Sequence, residues 1–150
     1  MLAAIKTMED IEATILRAVQ DRYGIYLPEE RLPYFKTGCD RIARAAGLSN
    51  TTELLDLISS NKMSFDVWKQ LVHESTIHES SFYRFPDIYR FCVAYLEFAQ
   101  KGTVWFPSCS HGQEVYTLSE MLSLKGLTDI SIIGTDVSEP CIEKAKKGIY

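Results

Sequence analysis

The sequence predicts an α/β protein, in which a small N-terminal all-helical domain over residues 1–76 precedes the first part of an α/β domain over residues 77–150. Three observations predict this class. Up to about residue 101 the apolar positions recur at helical spacing in short segments joined by polar or glycine breaks. Residues 103–109, Thr-Val-Trp-Phe-Pro-Ser-Cys, are β-branched and aromatic, and residues 130–135, Ile-Ser-Ile-Ile-Gly-Thr, form a second short apolar run. Between these two runs Val115, Leu118, Met121, Leu122 and Leu124 are apolar at helix spacing, and Gly126 closes the segment. Strand, small-residue turn, helix, strand and terminal Asp136 outline a βαβ unit that binds a nucleoside across its first turn.

In chain order, Thr7 is placed to cap a first helix with Asp10 at the capping-box position, and Ile11, Ile15, Leu16 and Val19 form its buried stripe up to Gly24. Pro28 suits the start of a second helix, while Pro33 requires a turn or a kink, so the regular part runs from Tyr34 to Ala46 and stops at Gly47. Arg41 and Arg44 lie three apart on one face of it, as a solvated pair or a small basic patch. Asn50 or Thr51 caps a short helix carrying Leu54, Leu55, Leu57 and Ile58, and Ser64 caps another through Trp68, Leu71 and Val72. The periodicity breaks near residues 76–80. Pro86 then begins a long helix to about Gln100 through Ile88, Phe91, Cys92, Tyr95 and Leu96, and Gly102 turns the chain into the first strand. Ser138 caps a last helix that Gly148 closes.

Composition narrows the function classes. With 46% hydrophobic and 24% charged residues the chain has the make-up of a globular protein. A net charge of −4 and the lack of any Lys/Arg run argue against nucleic acid as a partner. No apolar segment has membrane-spanning length, so membrane insertion is not expected. The four cysteines have no C-x-x-C spacing, which points to reduced thiols and a cytoplasmic setting. A metal site from Cys109 and His111 with His73 or His78 is the weaker alternative: Cys109-x-His111 could supply two ligands, but no spacing supports four, so no metal site is assigned.

Glu114 lies in the first turn of the helix after the first strand, and Asp136 lies at the end of the second, so both reach the carboxyl edge where open α/β sheets bind ligands. Neither G-x-G-x-x-G nor G-x-x-x-x-G-K-[S/T] is present, and a glutamate at a helix N-terminus repels the pyrophosphate that the helix dipole attracts. Two acceptors without a phosphate cradle suit a nucleoside that carries an ammonium and a sulfonium, S-adenosylmethionine. Glu114 would answer the amino group, directly or through water, and Asp136 the ribose hydroxyls. Taken alone, the same carboxylates serve equally as a helix-end charge and a turn cap. His78-Glu-Ser-Ser-Phe-Tyr-Arg84 is a polar, aromatic and basic junction loop; it either lies over such a site and offers the Arg84 guanidinium to a carboxylate, or wedges the domains together with Arg84 in a helix-end ion pair.

His78-Glu-Ser-Ser-Phe-Tyr-Arg84 resembles the N-x-T-x-F-F-R loop of the chemotaxis receptor methyltransferase (CheR) family. Trp105-Phe-Pro-Ser-Cys-Ser-His-Gly-Gln-Glu-Val-Tyr-Thr117 resembles that family's W-S-A-G-C-S-T-G-E-E-P-Y-S, and Gly134-Thr-Asp-Val-Ser with the later Lys144-Ala and Gly148-Ile-Tyr150 is similar to its A-T-D-I…K-A-x-x-G-I-Y. The order and separation agree as well, so the resemblance covers essentially the whole chain. It implies a Rossmann-like domain that transfers a methyl group from S-adenosylmethionine to glutamate side chains of methyl-accepting chemotaxis receptor helices, leaving S-adenosylhomocysteine. By position it implies that Glu114 and Asp136 hold the amino group and ribose, and that Ser80 keeps the hydroxyl of the loop threonine. Arg84 is implied beside the cofactor's methionyl end and the incoming glutamate, as the catalytic positioning group.

Departures are specific. His78 replaces asparagine, Ser108 stands where glycine is frequent and brings a side chain toward the cofactor, and His111, Gln113 and Val115 replace threonine, glutamate and proline. The Arg41/Arg44 face is where the resemblance implies a contact with an acidic receptor helix. Only two parallel strands are present, which a sheet needing cover on both faces makes marginal. The sequence therefore reads as the N-terminal part of a longer protein, expected by itself to bind cofactor weakly. The alternative from the binding class is a non-catalytic receptor-docking module of the same family.

Overall fold

The computed structural model describes residues 8–150. The chain divides into two compact units, one ending at Thr76 and one beginning at Ile77. The first holds α1 (Met8–Tyr23), a 3-10 turn (Glu29–Arg31), α2 (Leu32–Ala45), α3 (Thr51–Ser59) and α4 (Phe65–Glu74). Thr7, the expected cap of α1, lies outside the described residues. The expected stripe Ile11, Ile15, Leu16 and Val19 is buried, and it packs in one core with Phe35, Cys39, Ile42, Leu54, Leu55, Trp68 and Leu71. Asn50 accepts the Glu53 N–H at 3.1 Å to start α3, and Ser64 accepts the Val67 N–H at 3.3 Å to start α4. Pro33 is corrected: it makes neither a separate turn nor a kink but sits in the first turn of α2, where a missing N–H leaves no hydrogen bond unmade. Arg41 donates to Glu74 of α4 at 2.7 Å, and Arg44 Nε donates to the Asp40 carbonyl of its own helix at 3.1 Å. The ion pair within the unit thus takes up half of the two-arginine patch.

The second unit runs α5 (Pro86–Ala99), β1 (Gly102–Phe106), α6 (Gln113–Leu124), β2 (Ile130–Gly134) and α7 (Glu139–Lys147). The strands are parallel neighbours, with Gly102 opposite Ile130 and Phe106 opposite Gly134. β1 ends at Phe106 rather than at Cys109, because Pro107 has no N–H to continue the ladder. Pairing persists irregularly beyond it: Thr135 N–H donates to the Phe106 carbonyl, and Cys109 N–H donates to that of Thr135, both at 2.9 Å. Val104, Phe106, Ile130 and Ile132 face a core made by Tyr89, Val93, Leu96, Leu118 and Leu122, whereas Trp105 and Ile133, opposite each other on the other face, are exposed. Among the described residues no helix is long and apolar enough to cross a membrane.

Two helix faces differ from expectation. In α5 the buried positions are Tyr89, Val93 and Leu96, while Ile88, Phe91 and Tyr95 are exposed. The helix is apolar or aromatic around most of its circumference, so spacing could not single out the face. In α6 Leu118 and Leu122 are buried but Leu124 is exposed, one step off the stripe at the final turn. At the end of β2, a Cβ on Gly134 would stand 3.1 Å from Cys109 Sγ and 3.3 Å from Val115 Cγ2, so a side chain there would require the turn after β1 to give by a few tenths of an ångström.

The two leucines of α6 test this packing. Leu118→Ala should destabilise the protein by about 2–5 kcal/mol, and Leu124→Ala by less than about 0.5 kcal/mol, in urea unfolding of the full-length protein. Equal losses would contradict the assigned face.

Candidate functional site

The site starts from the Asp136 carboxylate. Oδ2 accepts the Ser110 N–H at 2.8 Å and Oδ1 accepts the Ser138 N–H at 2.9 Å. One side chain thereby fixes the turn after β1 and the start of α7, where buried Ser138 caps the helix by accepting the Cys141 N–H at 3.3 Å. Each carboxylate oxygen has lone-pair capacity beyond its single amide donor. Three residues after Ser110, α6 begins behind Gly112, whose φ of +89° and a virtual Cβ 2.9 Å from Ala145 Cβ both require glycine.

Glu114 stands in the first turn of α6, with its side chain 23% exposed. Arg84 Nη1 lies 3.9 Å from Glu114 Oε1, while the same guanidinium pairs with Glu79 at 3.1 Å and covers the Phe85 ring at 5.0 Å. Tyr89 lies near enough to the Glu114 carboxylate to feel its charge. Burial, reinforced by that carboxylate, pushes the Tyr89 phenol up to about 12. Arg84 is preceded by Tyr83 in the left-handed region at φ +57°, a conformation that a bulky side chain adopts only when its surroundings hold it. Tyr83 N–H donates to Thr117 Oγ1 at 3.2 Å, and its phenol donates to the Glu120 carboxylate.

The other candidates fall around this frame. Ser80 is half-buried, with Oγ enclosed and no hydrogen-bond partner among the described residues; Gln113 Oε1 is in the same state. His78 Nδ1 lies 3.2 Å from Cys141 Sγ, and its ring is 6.3 Å from that of His111. Ser108 is exposed in the turn after β1. Cys109 is buried, and burial raises its thiol above the ordinary range, as the inert strand-end thiol should be. The structure brings Arg84 to Glu114, and it ties Asp136 to the turn that leads into the helix of Glu114. A hollow of about 420 Å³ lined by Glu12, Leu32, Pro33, Phe35 and Lys36 belongs to the helical unit and holds none of these residues.

Tyr89 is not singled out by the sequence, and Thr117 and Tyr150, though inside the motifs quoted above, are given no role there. Tyr150 donates its hydroxyl to the His111 carbonyl at 2.5 Å and sets its ring edge-on to Phe82 of the loop and Tyr116 of α6. Each is an ordinary core or turn residue by type, and only contacts distant in sequence mark it.

Residues 79–150 match the family model described as CheR methyltransferase, SAM binding domain. The chain is 34% identical over 89 residues to Cher3 of Pseudomonas putida, which covers 56% of this chain and 33% of that protein. It is 27% identical over 136 residues to the chemotaxis protein methyltransferase of Campylobacter jejuni (90% and 50%), and 22% identical over 163 to that of Borreliella burgdorferi (97% and 56%). Over residues 79–150 the match and these relatives support the CheR methyltransferase family. It spans between a third and just over half of the length of these relatives. The cofactor of the CheR domain is S-adenosyl-L-methionine, and the residues present fit it. Glu114, Asp136 and the orphaned Gln113 Oε1 are acceptors, while the cofactor's ammonium and ribose hydroxyls are donors.

The burial of the Tyr89 phenol has a pH signature. A phenol raised from 10.0 to about 12 in the folded state contributes stability that is complete below pH 10 and is lost as pH rises toward 12. Urea unfolding should show that fall shrinking in Tyr89→Phe. An unchanged pH slope would contradict a phenol raised mainly by burial.

Proposed function

We propose that the protein carrying this chain transfers the methyl group of S-adenosylmethionine to glutamate side chains of chemotaxis receptors, with Arg84 positioning the acceptor and His78, Ser80, Arg84, Ser108, Glu114 and Asp136 forming this chain's part of the cofactor site. The observation that carries the reading is the Arg84–Glu114 approach of 3.9 Å, which brings the guanidinium of the loop to the helix end adjoining the Asp136-held turn.

S-adenosylmethionine, when bound, supplies a methyl group activated by its sulfonium. The acceptor glutamate, with an ordinary pKa near about 4.3, is already ionised at neutral pH, so no residue of the chain has to remove a proton. An acceptor carboxylate oxygen gains the methyl, the breaking carbon–sulfur bond leaves its electron pair on sulfur, and a methyl ester and a thioether result. The residues have to orient the groups in line and exclude water. Arg84 offers planar donors for the carboxylate. Its existing pairing with Glu79 at 3.1 Å divides its charge, which supports positioning without a grip that would blunt the nucleophile. Glu114 would answer the ammonium and Asp136 the ribose, and Ser80 Oγ is an enclosed hydroxyl awaiting a partner.

The receptor-docking alternative draws on exposed Ser108 at a position where glycine is frequent in the family. Radiolabelled methyl transfer to receptor-containing membranes by the full-length protein tests both. Arg84→Ala should lower transfer at least about tenfold, and Glu114→Gln and Asp136→Asn should each weaken cofactor binding by about tenfold or more, the scale of a lost charged hydrogen bond. Transfer at the normal rate by Arg84→Ala would refute the role of Arg84, and absence of transfer by the unaltered protein would favour the docking module.

A further inference from the structure

We infer that Thr117 is a positioning residue for Arg84, fixing through its hydroxyl the backbone from which the guanidinium is aimed; the inference rests on the role proposed above for Arg84. Thr117 is fully buried. Its hydroxyl donates to the Gln113 carbonyl one helical turn earlier at 2.8 Å, a common satisfaction for a threonine within a helix. The uncommon part is the acceptor side of the same oxygen. It takes the N–H of Tyr83 at 3.2 Å, 34 positions away in sequence, directly before Arg84. Tyr83 has φ +57°, so its amide is held in a conformation that its own side chain disfavours.

A second contact on the same helix completes the brace. Glu120, three residues after Thr117 and therefore on the same face, accepts the Tyr83 phenol. α6 thus grips Tyr83 at both backbone and ring while presenting Glu114 from its first turn. Because the Tyr83 dihedrals set the direction in which the chain enters Arg84, one helix determines both partners of the 3.9 Å approach. Loss of the hydroxyl would leave an N–H without its acceptor and remove the contact that opposes relaxation of Tyr83.

Three variants of the full-length protein test this, two at Thr117 and one at Tyr83. Thr117→Val keeps the shape and removes the hydroxyl; Thr117→Ser keeps it. In the cofactor-free protein, amide exchange at Tyr83 followed by NMR should accelerate at least about tenfold in Thr117→Val and stay within about twofold in Thr117→Ser. Calorimetry with S-adenosylhomocysteine should show about fivefold weaker binding for Thr117→Val, near-parent binding for Thr117→Ser, and no further weakening when Thr117→Val is added to Arg84→Ala. Tyr83→Phe, which alters a half-exposed ring and spares the core, should weaken binding about threefold, again with no effect beyond that of Arg84→Ala. Losses that multiply with Arg84→Ala would overturn the inference, as would normal binding by Thr117→Val while Arg84→Ala binds poorly. Normal binding and normal transfer by Arg84→Ala would instead remove the reading on which it rests.

Discussion

Asp136 joins the turn after β1 to the start of α7 by accepting one amide from each, the Ser110 N–H at 2.8 Å and the Ser138 N–H at 2.9 Å. Two parallel strands alone make a narrow sheet, and Asp136 extends the tie between their carboxyl ends beyond the Cys109–Thr135 backbone pairing. A carboxylate that accepts backbone amides makes charge-assisted bonds, stronger than neutral ones. It also leaves lone pairs directed away from those amides. The group that organises the edge therefore stays chemically able to meet a donor from outside, and the position of α6 relative to the sheet depends on the turn it fixes.

From that turn outward, α6 has more roles than covering the sheet. Leu118 and Leu122 pack toward the strands, Glu114 meets Arg84, and Thr117 and Glu120 hold Tyr83. Tyr150 and Tyr116 add reciprocal ties: the Tyr150 hydroxyl donates to the His111 carbonyl before α6, and the Tyr116 hydroxyl donates to the Ala145 carbonyl near the end of α7. The electrostatic logic is consistent with the ligand. A glutamate at a helix N-terminus opposes phosphate, and the enclosed Gln113 Oε1 is an acceptor as well, so this edge suits a cationic, donor-rich nucleoside.

Much of this was readable from local sequence, for identifiable reasons. Asn50, Ser64 and Ser138 cap helices through side chains that act within three residues, and Glu114 and Asp136 are placed by strand and helix periodicity. Where information lay outside the local window the reading failed. Pro33 reads locally as a turn or a kink, whereas the 3-10 turn before it makes it part of a helix start. The face of α5 was ambiguous because aromatic residues surround it, and burial chose Tyr89 over Ile88, Phe91 and Tyr95. Thr117 enters the sequence only as the end of a motif; its significance comes from an amide 34 positions away.

The central claim is that the strand-edge carboxylates and the Arg84 loop hold one nucleoside between them. A crystal structure of the full-length protein with S-adenosylhomocysteine tests it most directly. The account predicts ribose hydroxyls within about 3 Å of Asp136, the amino group beside Glu114 or one water away, and the methionyl carboxylate within reach of Arg84. A nucleoside bound elsewhere, with Asp136 still contacted only by Ser110 and Ser138, would contradict it.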